Sequence, residues 1–404
     1  MKRAAIFILI LSMFTCIWLP VLSADEQLPY LGLSEFLQEM EMDFEQYLAW
    51  MNAFTQTGEY PHYLEKNAAR YDSYFEANPD TPYPRILAFV NVDADKRHYT
   101  DITQAQDLEN VSILVNKTFC VPSTWVPETL ANTGTGHLMH EEAAEQFALM
   151  RAAITDAGLR MHVLSMYRSY GSQSSTFYGA LEERSQAVVE TNFARPGHSE
   201  HQTGLAIDLL HRSHDSYLSS AGFQNTDLFA WLMENGYRYG FILRYPREYR
   251  DIHGYIFEPW HWRYVGIDIA TTMYNEEIVL YEDFYGRYIA SDVLHKVRYL
   301  IYEERAAIAA QAAEELQAQA EERRAAFAQE SEQAAAAAYR QAMIDGIAED
   351  YAGMLLSEPV RIEPGHYILY YTVISVAAGL LCVSMAAFAI RKRRKGYFDS
   401  GQNI

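Results

Sequence analysis

Cysteine is scarce in this chain of 404 residues, which contains only three. Cys16 and Cys382 lie in apolar segments near the two ends, so Cys120 alone remains in the body. Because a disulfide needs two thiols, we expect no intrachain disulfide in the body. The same scarcity excludes a zinc site built from cysteine thiolates.

Basic residues are also few, with 32 Lys and Arg against 53 Asp and Glu, for a formal net charge of −21. A protein that binds nucleic acid needs a basic face to neutralise phosphates. The charge therefore argues against nucleic acid as a partner. An acidic surface of this kind favours solubility.

The N-terminus begins with a short basic stretch, Lys2 and Arg3, followed by the apolar run from Ala4 to Leu22. Ser23 and Ala24 supply small residues before the acidic positions that come next. This order is typical of a secretory signal peptide, here over residues 1–24. An uncleaved membrane anchor is the alternative.

The C-terminus contains an uncharged apolar run from Tyr367 to Ile390, followed at once by the basic residues 391–395. A run of this length can span the hydrocarbon of a bilayer as a helix, and basic flanks stay on the cytoplasmic side. The pattern predicts a transmembrane helix over 366–390 and a basic cytoplasmic tail over 391–404. With the signal peptide, it predicts a single-pass membrane protein whose body lies outside the cytoplasm.

The body mixes helical and strand-like patterns without a regular alternation, which favours an α+β fold. Helical periodicity is present over 25–80, 141–157 and 228–234, and strand-like runs are 86–90, 111–115 and 161–166. From 289 to 358 the composition shifts to Ala, Glu, Gln and Arg, which are good helix formers. We interpret this segment as a helical stalk, with a disordered linker as the alternative and self-association of stalks left open.

The first cluster of chemically informative residues is Ser199-Glu200-His201-Gln202-Thr203-Gly204-Leu205-Ala206-Ile207-Asp208. His201 and Asp208 are good zinc ligands, but a straight strand would separate them by over about 20 Å. Gly204 can supply a bend that brings them together. We therefore expect His201 on a loop that enters a short strand carrying Asp208.

A second cluster, Glu258-Pro259-Trp260-His261, supplies a carboxylate and a further imidazole three residues apart. A metal hydrolase needs a third protein ligand and a nearby carboxylate base, and His261 and Glu258 fit those two roles. Two His and one Asp leave a fourth zinc position for water, whose pKa the metal lowers towards about 7. The carboxylate can then take the proton of that water.

A third cluster, Tyr167 to Gln173, follows the predicted strand at 161–166 and contains Arg168. A guanidinium there could stabilise the negative charge that develops on a scissile carbonyl oxygen. It could equally hold a substrate carboxylate in a bidentate way.

Together the motifs Ser199-x-His201-x-x-Gly204-x-Ala206-x-Asp208 and Glu258-x-Trp260-His261 resemble the signature of the VanY-type D-alanyl-D-alanine carboxypeptidases. The similarity extends over roughly 86–286. It implies a Hedgehog/DD-peptidase-like fold, with a small antiparallel sheet flanked by helices. It also implies a zinc metallopeptidase that hydrolyses the terminal D-Ala from peptidoglycan stem peptides.

The resemblance further implies a role for each matched residue. The metal ligands would be His201, Asp208 and His261, the catalytic base Glu258, the oxyanion-stabilising residue Arg168, and the substrate-pocket residues Gln173 and Ser199. His198 could replace His201 as ligand, although only His201 has the motif spacing to Asp208. His211 and His214 form a second candidate metal pair. His253 could face the cleft, with a solvated loop as the alternative.

Three alternatives remain open from the sequence: an L,D-carboxypeptidase, a D,D-dipeptidase or wall endopeptidase with the same site, and a non-catalytic wall-binding protein. The predicted organisation has six segments: signal peptide 1–24, helical N-terminal region 25–85, zinc D,D-carboxypeptidase domain 86–288, helical stalk 289–358, transmembrane helix 366–390 and cytoplasmic tail 391–404.

Overall fold

A computed structural model of the chain describes residues 31–211 and 220–344. The chain divides into two units, of which the larger contains Leu28–Tyr299 and the other contains the helix from Leu300 onward. The predicted signal peptide and cytoplasmic tail lie outside the described residues, as does the end of the predicted stalk at 345–358.

The larger unit begins with helices, as the periodicity over 25–80 predicts for the part described. They are α1 (Leu33–Met40), α2 (Phe44–Gln56), α3 (Ala68–Ala77) and α4 (Tyr83–Asn91). A capping box explains where α2 starts, because Asp43 accepts from the backbone N–H of Gln46 while the Gln46 side chain accepts from the backbone N–H of Asp43.

The run 86–90 is part of α4, so its prediction as a strand is wrong. All five of its side chains are buried, and a fully buried apolar run has no periodicity that separates strand from helix. Pro84 in the first turn of the helix is the local signal that favours a helix start.

Every strand in the described ranges lies in the middle of the chain, between residues 103 and 264. In order, the elements are β1 (Thr103–Gln104), β2 (Phe119–Cys120), β3 (Leu130–Asn132), β4 (Leu138–His140), α5 (Glu141–Asp156), β5 (Met161–Ser165), α6 (Tyr170–Glu183), α7 (Gln186–Asn192), β6 (Ala206–His211), α8 (Ser220–Phe223), α9 (Asp227–Asn235), β7 (Phe241–Leu243), α10 (Arg250–His253) and β8 (His261–Tyr264).

Strands β5 to β8 form a four-stranded sheet in the order β5-β6-β8-β7, and every neighbouring pair is antiparallel. The prediction of a small antiparallel sheet flanked by helices is confirmed. Strand β6 is central, and its first five residues are buried. This burial accounts for the apolar residues on both sides of Asp208. The main hydrophobic core joins the sheet to α5 and includes Phe147, Ile207 and Trp262.

The predicted strand at 111–115 is wrong, because this segment is irregular. Three of its backbone carbonyls accept hydrogen bonds from side chains instead of from a neighbouring strand. The Arg263 guanidinium donates to the carbonyl oxygens of Val111 and Ile113, and the Tyr281 hydroxyl donates to that of Ser112. These bonds meet the requirement that buried backbone groups be paired.

Three helices follow the sheet: α11 (Ile267–Asn275), α12 (Tyr281–Tyr288) and α13 (Ser291–Ile344). Helix α12 packs closely on α4, where a Cβ at Gly286 would lie 2.1 Å from the carbonyl oxygen of Ala88. Helix α13 has 54 residues and confirms the helical state of the predicted stalk up to Ile344.

The predicted fold class needs one correction, which concerns the transmembrane helix. No helix in the ranges 31–211 and 220–344 is long and apolar enough to cross a membrane. The segment predicted to do so, 366–390, lies outside the described residues. The described fold is therefore an α+β domain with a long polar C-terminal helix, and the transmembrane helix is removed from the fold class.

Candidate metal centre and active site

Three predicted ligands, His201, Asp208 and His261, meet at one end of the sheet. His201 lies in the short 3-10 helix Glu200–Thr203, and Gly204 ends that helix in the left-handed region with φ of 71°. A Cβ at Gly204 would also lie 2.8 Å from the backbone nitrogen of His140. The predicted bend between His201 and Asp208 is thus confirmed, and only glycine fits there without strain.

The register of the sheet places the other two ligands together, because Asp208 of β6 pairs directly with His261 of β8. Asp208 Oδ2 lies 3.1 Å from His201 Nε2, and Asp208 Oδ1 lies 3.0 Å from His261 Nδ1. All three side chains are buried, and their ligand atoms lie within 4.8 Å of one another.

These distances fit a metal ion of zinc size. Two atoms that each bind zinc at about 2.0–2.2 Å in tetrahedral geometry are about 3.3–3.6 Å apart, slightly more than the two distances to Asp208. The set of two imidazoles and one carboxylate is also one that catalytic zinc takes, leaving a position open. In the described ranges, these three side chains are the His, Cys, Asp or Glu groups that lie close enough together to hold a metal ion.

The remaining ring nitrogens of the two histidines are already engaged. His201 Nδ1 lies 2.6 Å from the carbonyl oxygen of Met166, and His261 Nε2 lies 3.3 Å from Glu200 Oε2. An oxygen acceptor needs a protonated nitrogen, so in each neutral ring the nitrogen that faces Asp208 is unprotonated. That nitrogen is the one available to a metal.

Charge in the triad is set by burial and by close partners. Burial alone would raise the pKa of Asp208, but His201 and His261 outweigh it and hold the carboxyl well below its usual range. Burial likewise would lower the pKa of His261, but its bonds to Asp208 and Glu200 raise it to about 9. The carboxylates therefore favour positive charge at this position, whether a proton or a cation carries it.

Glu258 lies just before β8 and is buried, and its carboxyl interacts electrostatically with His261 and Asp208. Burial raises the pKa of its carboxyl to about 8, and the charge of His261 opposes this rise. A carboxyl near neutrality can both accept and return a proton, which is what general acid–base catalysis needs.

Arg168 also reaches the site, with its guanidinium 3.9 Å from Asp208 Oδ2. It donates to Gln173 Oε1 at 2.8 Å and to Ser165 Oγ at 2.9 Å, while the Gln173 amide donates to the carbonyl oxygen of Ala194. Gln173 is buried, so it fixes Arg168 and the segment around Ala194. Ser199 is buried at the start of the 3-10 helix that carries His201.

Within the described ranges, His198 and His253 do not join the triad. His198 Nδ1 bonds the carbonyl oxygen of Asn116, and the His198 ring packs edge-on against Tyr99. His253 is buried, with one ring nitrogen on the carbonyl oxygen of Pro246, so it does not lie in a solvated loop. His211 ends β6, and His214 lies outside the described residues, so the second candidate pair stays a prediction.

Sequence reasoning missed four buried charged residues behind the triad: Glu200, Arg244, Arg263 and Glu282. Glu200 Oε1 accepts from Arg244 at 2.7 Å and from Arg263 at 2.8 Å. Arg244 also forms a two-pronged pair with Glu282 at 2.7 and 2.9 Å. Glu200 had a signal, since it adjoins His201 in the motif. Glu282 had none, because it is distant in sequence.

Comparison with known proteins places this arrangement in a family. Residues 136–267 match the family model VanY, D-alanyl-D-alanine carboxypeptidase. The Bacillus subtilis putative carboxypeptidase YodJ is 34% identical over 205 residues, which cover 47% of this chain and 75% of YodJ. The chain belongs to the VanY family. The predicted resemblance is thereby confirmed.

Other VanY-type relatives include the bifunctional D-Ala-D-Ala dipeptidase and carboxypeptidase VanXYC of Enterococcus gallinarum. It is 34% identical over 158 residues, covering 39% of this chain and 81% of VanXYC. Among solved structures, the LD-carboxypeptidase LdcB is 32% identical to this chain, with a TM-score of 0.44. The match covers 47% of this chain and 92% of the LdcB chain. A VanY D,D-pentapeptidase solved with Zn(II) is 33% identical, with a TM-score of 0.37. The match covers 43% of this chain and 98% of the pentapeptidase chain.

Proposed function

We propose that this member of the VanY family is a zinc-dependent D,D-carboxypeptidase that removes the terminal D-alanine from peptidoglycan stem peptides. The observation that carries the proposal is the buried triad of His201, Asp208 and His261 with buried Glu258 beside it. Membership of the family supports the substrate class, and the nitrogen and oxygen donor set supports zinc.

Zinc bound at the triad would polarise the scissile carbonyl and acidify water in the site. The residues of the chain would do the rest. Glu258 takes a proton from the attacking water and holds it until the peptide C–N bond breaks. It then gives the proton to the leaving amine, so that D-alanine departs and the shortened stem retains the new carboxylate.

Arg168 supplies positive charge to the carbonyl oxygen as that oxygen becomes negative. Its bonds to Ser165 and Gln173 hold the guanidinium in place before substrate arrives, so no reorganisation is needed during the reaction. In this proposal Gln173 acts by fixing Arg168, and Ser199 lines the pocket beside His201.

The test incubates the purified protein with a stem pentapeptide and measures released D-alanine by mass spectrometry. We expect release to stop with a chelator and to return with zinc. Glu258→Gln should keep zinc bound while turnover falls about 100-fold to 10,000-fold, the usual contribution of a general base. Turnover that persists in this variant would overturn the assigned base.

The same assay with tetrapeptide and cross-linked stems separates the proposed reaction from its alternatives. Release from the tetrapeptide alone would point to L,D specificity, and cleavage of cross-links would point to an endopeptidase. A protein that binds zinc but leaves every stem intact would favour the non-catalytic wall-binding alternative. Action outside the cytoplasm and self-association of the stalk stay predictions.

A further inference from the structure

A continuous line of buried charge runs from the metal ligand His261 to helix α12. Its members are Glu200, Arg244, Arg263 and Glu282, and each is at most 1% exposed. Two carboxylates and two guanidinium groups give the line no net charge. An ion buried without a partner costs several kcal/mol, so each member depends on the others being present.

The line begins at His261, whose Nε2 lies 3.3 Å from Glu200 Oε2. Because Glu200 is an acceptor, this contact places the proton of the neutral ring on Nε2 and turns Nδ1, with its lone pair, towards Asp208. The His201 ring is held differently, by a backbone carbonyl. One ligand is thus oriented by the main chain, and the other by a side chain that itself needs support.

That support comes from the two guanidinium groups on Glu200 Oε1. Arg263 lies on β8 and is held by the carbonyl oxygens of Val111 and Ile113. Arg244 follows β7, and its other two nitrogens bind both oxygens of Glu282. Glu282 therefore fixes the plane of Arg244, and Arg244 fixes Glu200.

Glu282 belongs to α12, beyond residues 136–267 that match the family model. Its second partner, Asn116, lies before that range and donates to Glu282 Oε1 at 3.2 Å. Helix α12 is itself packed against α4 of the N-terminal helical region, at Gly286. The elements that close the line thus lie outside the matched part of the carboxypeptidase domain.

We propose that Glu200 is a positioning residue for His261 and that Glu282 is a second positioning residue, acting through Arg244. Helix α12 then helps to set how tightly the triad holds its metal ion. The inference rests on the proposed function, since it requires that the triad bind zinc.

Helix α12 offers a matched control at the next position. Asp283 is equally buried, but it pairs with Arg85 and Arg287, and no hydrogen bond or ion pair in the described ranges joins it to the triad. Glu282→Gln and Asp283→Asn each remove one buried negative charge from the same turn of the same helix. Both should lower thermal stability, but only the first should change the metal site.

The experiment measures the zinc dissociation constant of the full chain by competition with a chromogenic chelator. Absorption of the cobalt(II)-substituted protein reports the ligand geometry. We expect Glu200→Gln to weaken zinc binding about 10-fold to 100-fold, as outer-sphere partners of metal ligands do, and to alter the cobalt spectrum. Glu282→Gln should weaken it by about threefold to tenfold, and Asp283→Asn by less than about twofold.

A charge-preserving pair covers the case in which Glu282→Gln does not fold. Glu282→Asp withdraws the carboxylate by one methylene, and Asp283→Glu is its control. We expect weaker zinc binding in the first and unchanged binding in the second. Equal zinc affinities and cobalt spectra for Glu282→Asp and wild type would overturn the inference, while a wild-type protein that binds no zinc would overturn the proposed function itself.

Discussion

Charged side chains are buried near the sheet that carries the triad but exposed on the helix that continues beyond Leu300. Around the triad, carboxylates and guanidinium groups are buried and matched one against another. In the helix, Glu314, Glu315, Arg323 and Arg324 are exposed. In the first region, burying the charges costs folding free energy but fixes the geometry of the groups. The helix is stabilised locally, by residues with high helix propensity.

The largest effect is expected from a substitution at the site. Arg168→Lys keeps the charge but loses the planar fork that bonds Ser165 and Gln173. We expect kcat to fall about 100-fold to 1,000-fold, the range for a lost oxyanion partner, with zinc affinity almost unchanged. Arg151→Lys, at an arginine that bonds the carbonyl oxygen of Thr133, is the control and should retain full activity.

A second test addresses packing instead of charge. Gly286→Ala places a methyl group against the carbonyl of Ala88, so α12 must move away from α4. We expect a loss of about 2–3 kcal/mol in the free energy of unfolding, measured by urea denaturation. An unchanged midpoint would show that these two helices are not closely packed.

The third test uses pH on a buried histidine far from the triad in sequence. Burial, reinforced by the charge of Arg287, lowers the pKa of His62 to about 3. Below about pH 6.5, His62 is protonated in the unfolded chain but stays neutral in the folded chain. Its contribution to the free energy of unfolding is therefore full above about pH 6.5 and is lost as pH falls. The loss due to His62 should reach about 2 kcal/mol between pH 7 and pH 5.

His62→Gln removes this titration while an amide can still donate to the carbonyl oxygen of Pro84, which His62 Nε2 contacts at 3.2 Å. Unfolding free energies of wild type and variant, measured at pH 7 and pH 5, give the difference directly. The variant should lose about 2 kcal/mol less on acidification. Parallel losses in the two proteins would contradict the assignment.

The smallest effect is expected in the long helix, where Ala318 is exposed. Ala318→Gly should cost about 1 kcal/mol of local helix stability and leave carboxypeptidase activity unchanged. Hydrogen exchange of backbone amides near residue 318 measures the first quantity, and the D-alanine assay measures the second. A large fall in activity would show that the helix matters for the chemistry.

Much of the site could be predicted from sequence because its residues are close together in the chain. His201, Gly204 and Asp208 belong to one short segment, so a single bend accounts for their meeting. His261 and Glu258 are separated from them in sequence, and the motif resemblance, not spacing, supplied that connection. Strand pairing of Asp208 with His261 then explains the contact.

Other features could not be predicted because they depend on distant partners. The segments 86–90 and 111–115 have the same apolar character, but one is a helix buried under α12 and the other is fixed by side chains of Arg263 and Tyr281. Glu282 and Asp283 are adjacent acidic residues, and the local sequence does not show what either of them pairs with. Its partner Arg244 comes from another element, and no local pattern reveals the pair.

The direct pairing of Asp208 with His261 has a consequence for folding. A slip of one residue between β6 and β8 would send one of these side chains to the opposite face of the sheet. If the triad binds zinc as proposed, an ion that needs both ligands would bind only the correct register, and mass action would shift the chain towards that register as free metal rises. The concentration of free metal would then influence how many chains pair β6 and β8 correctly, before any substrate binds.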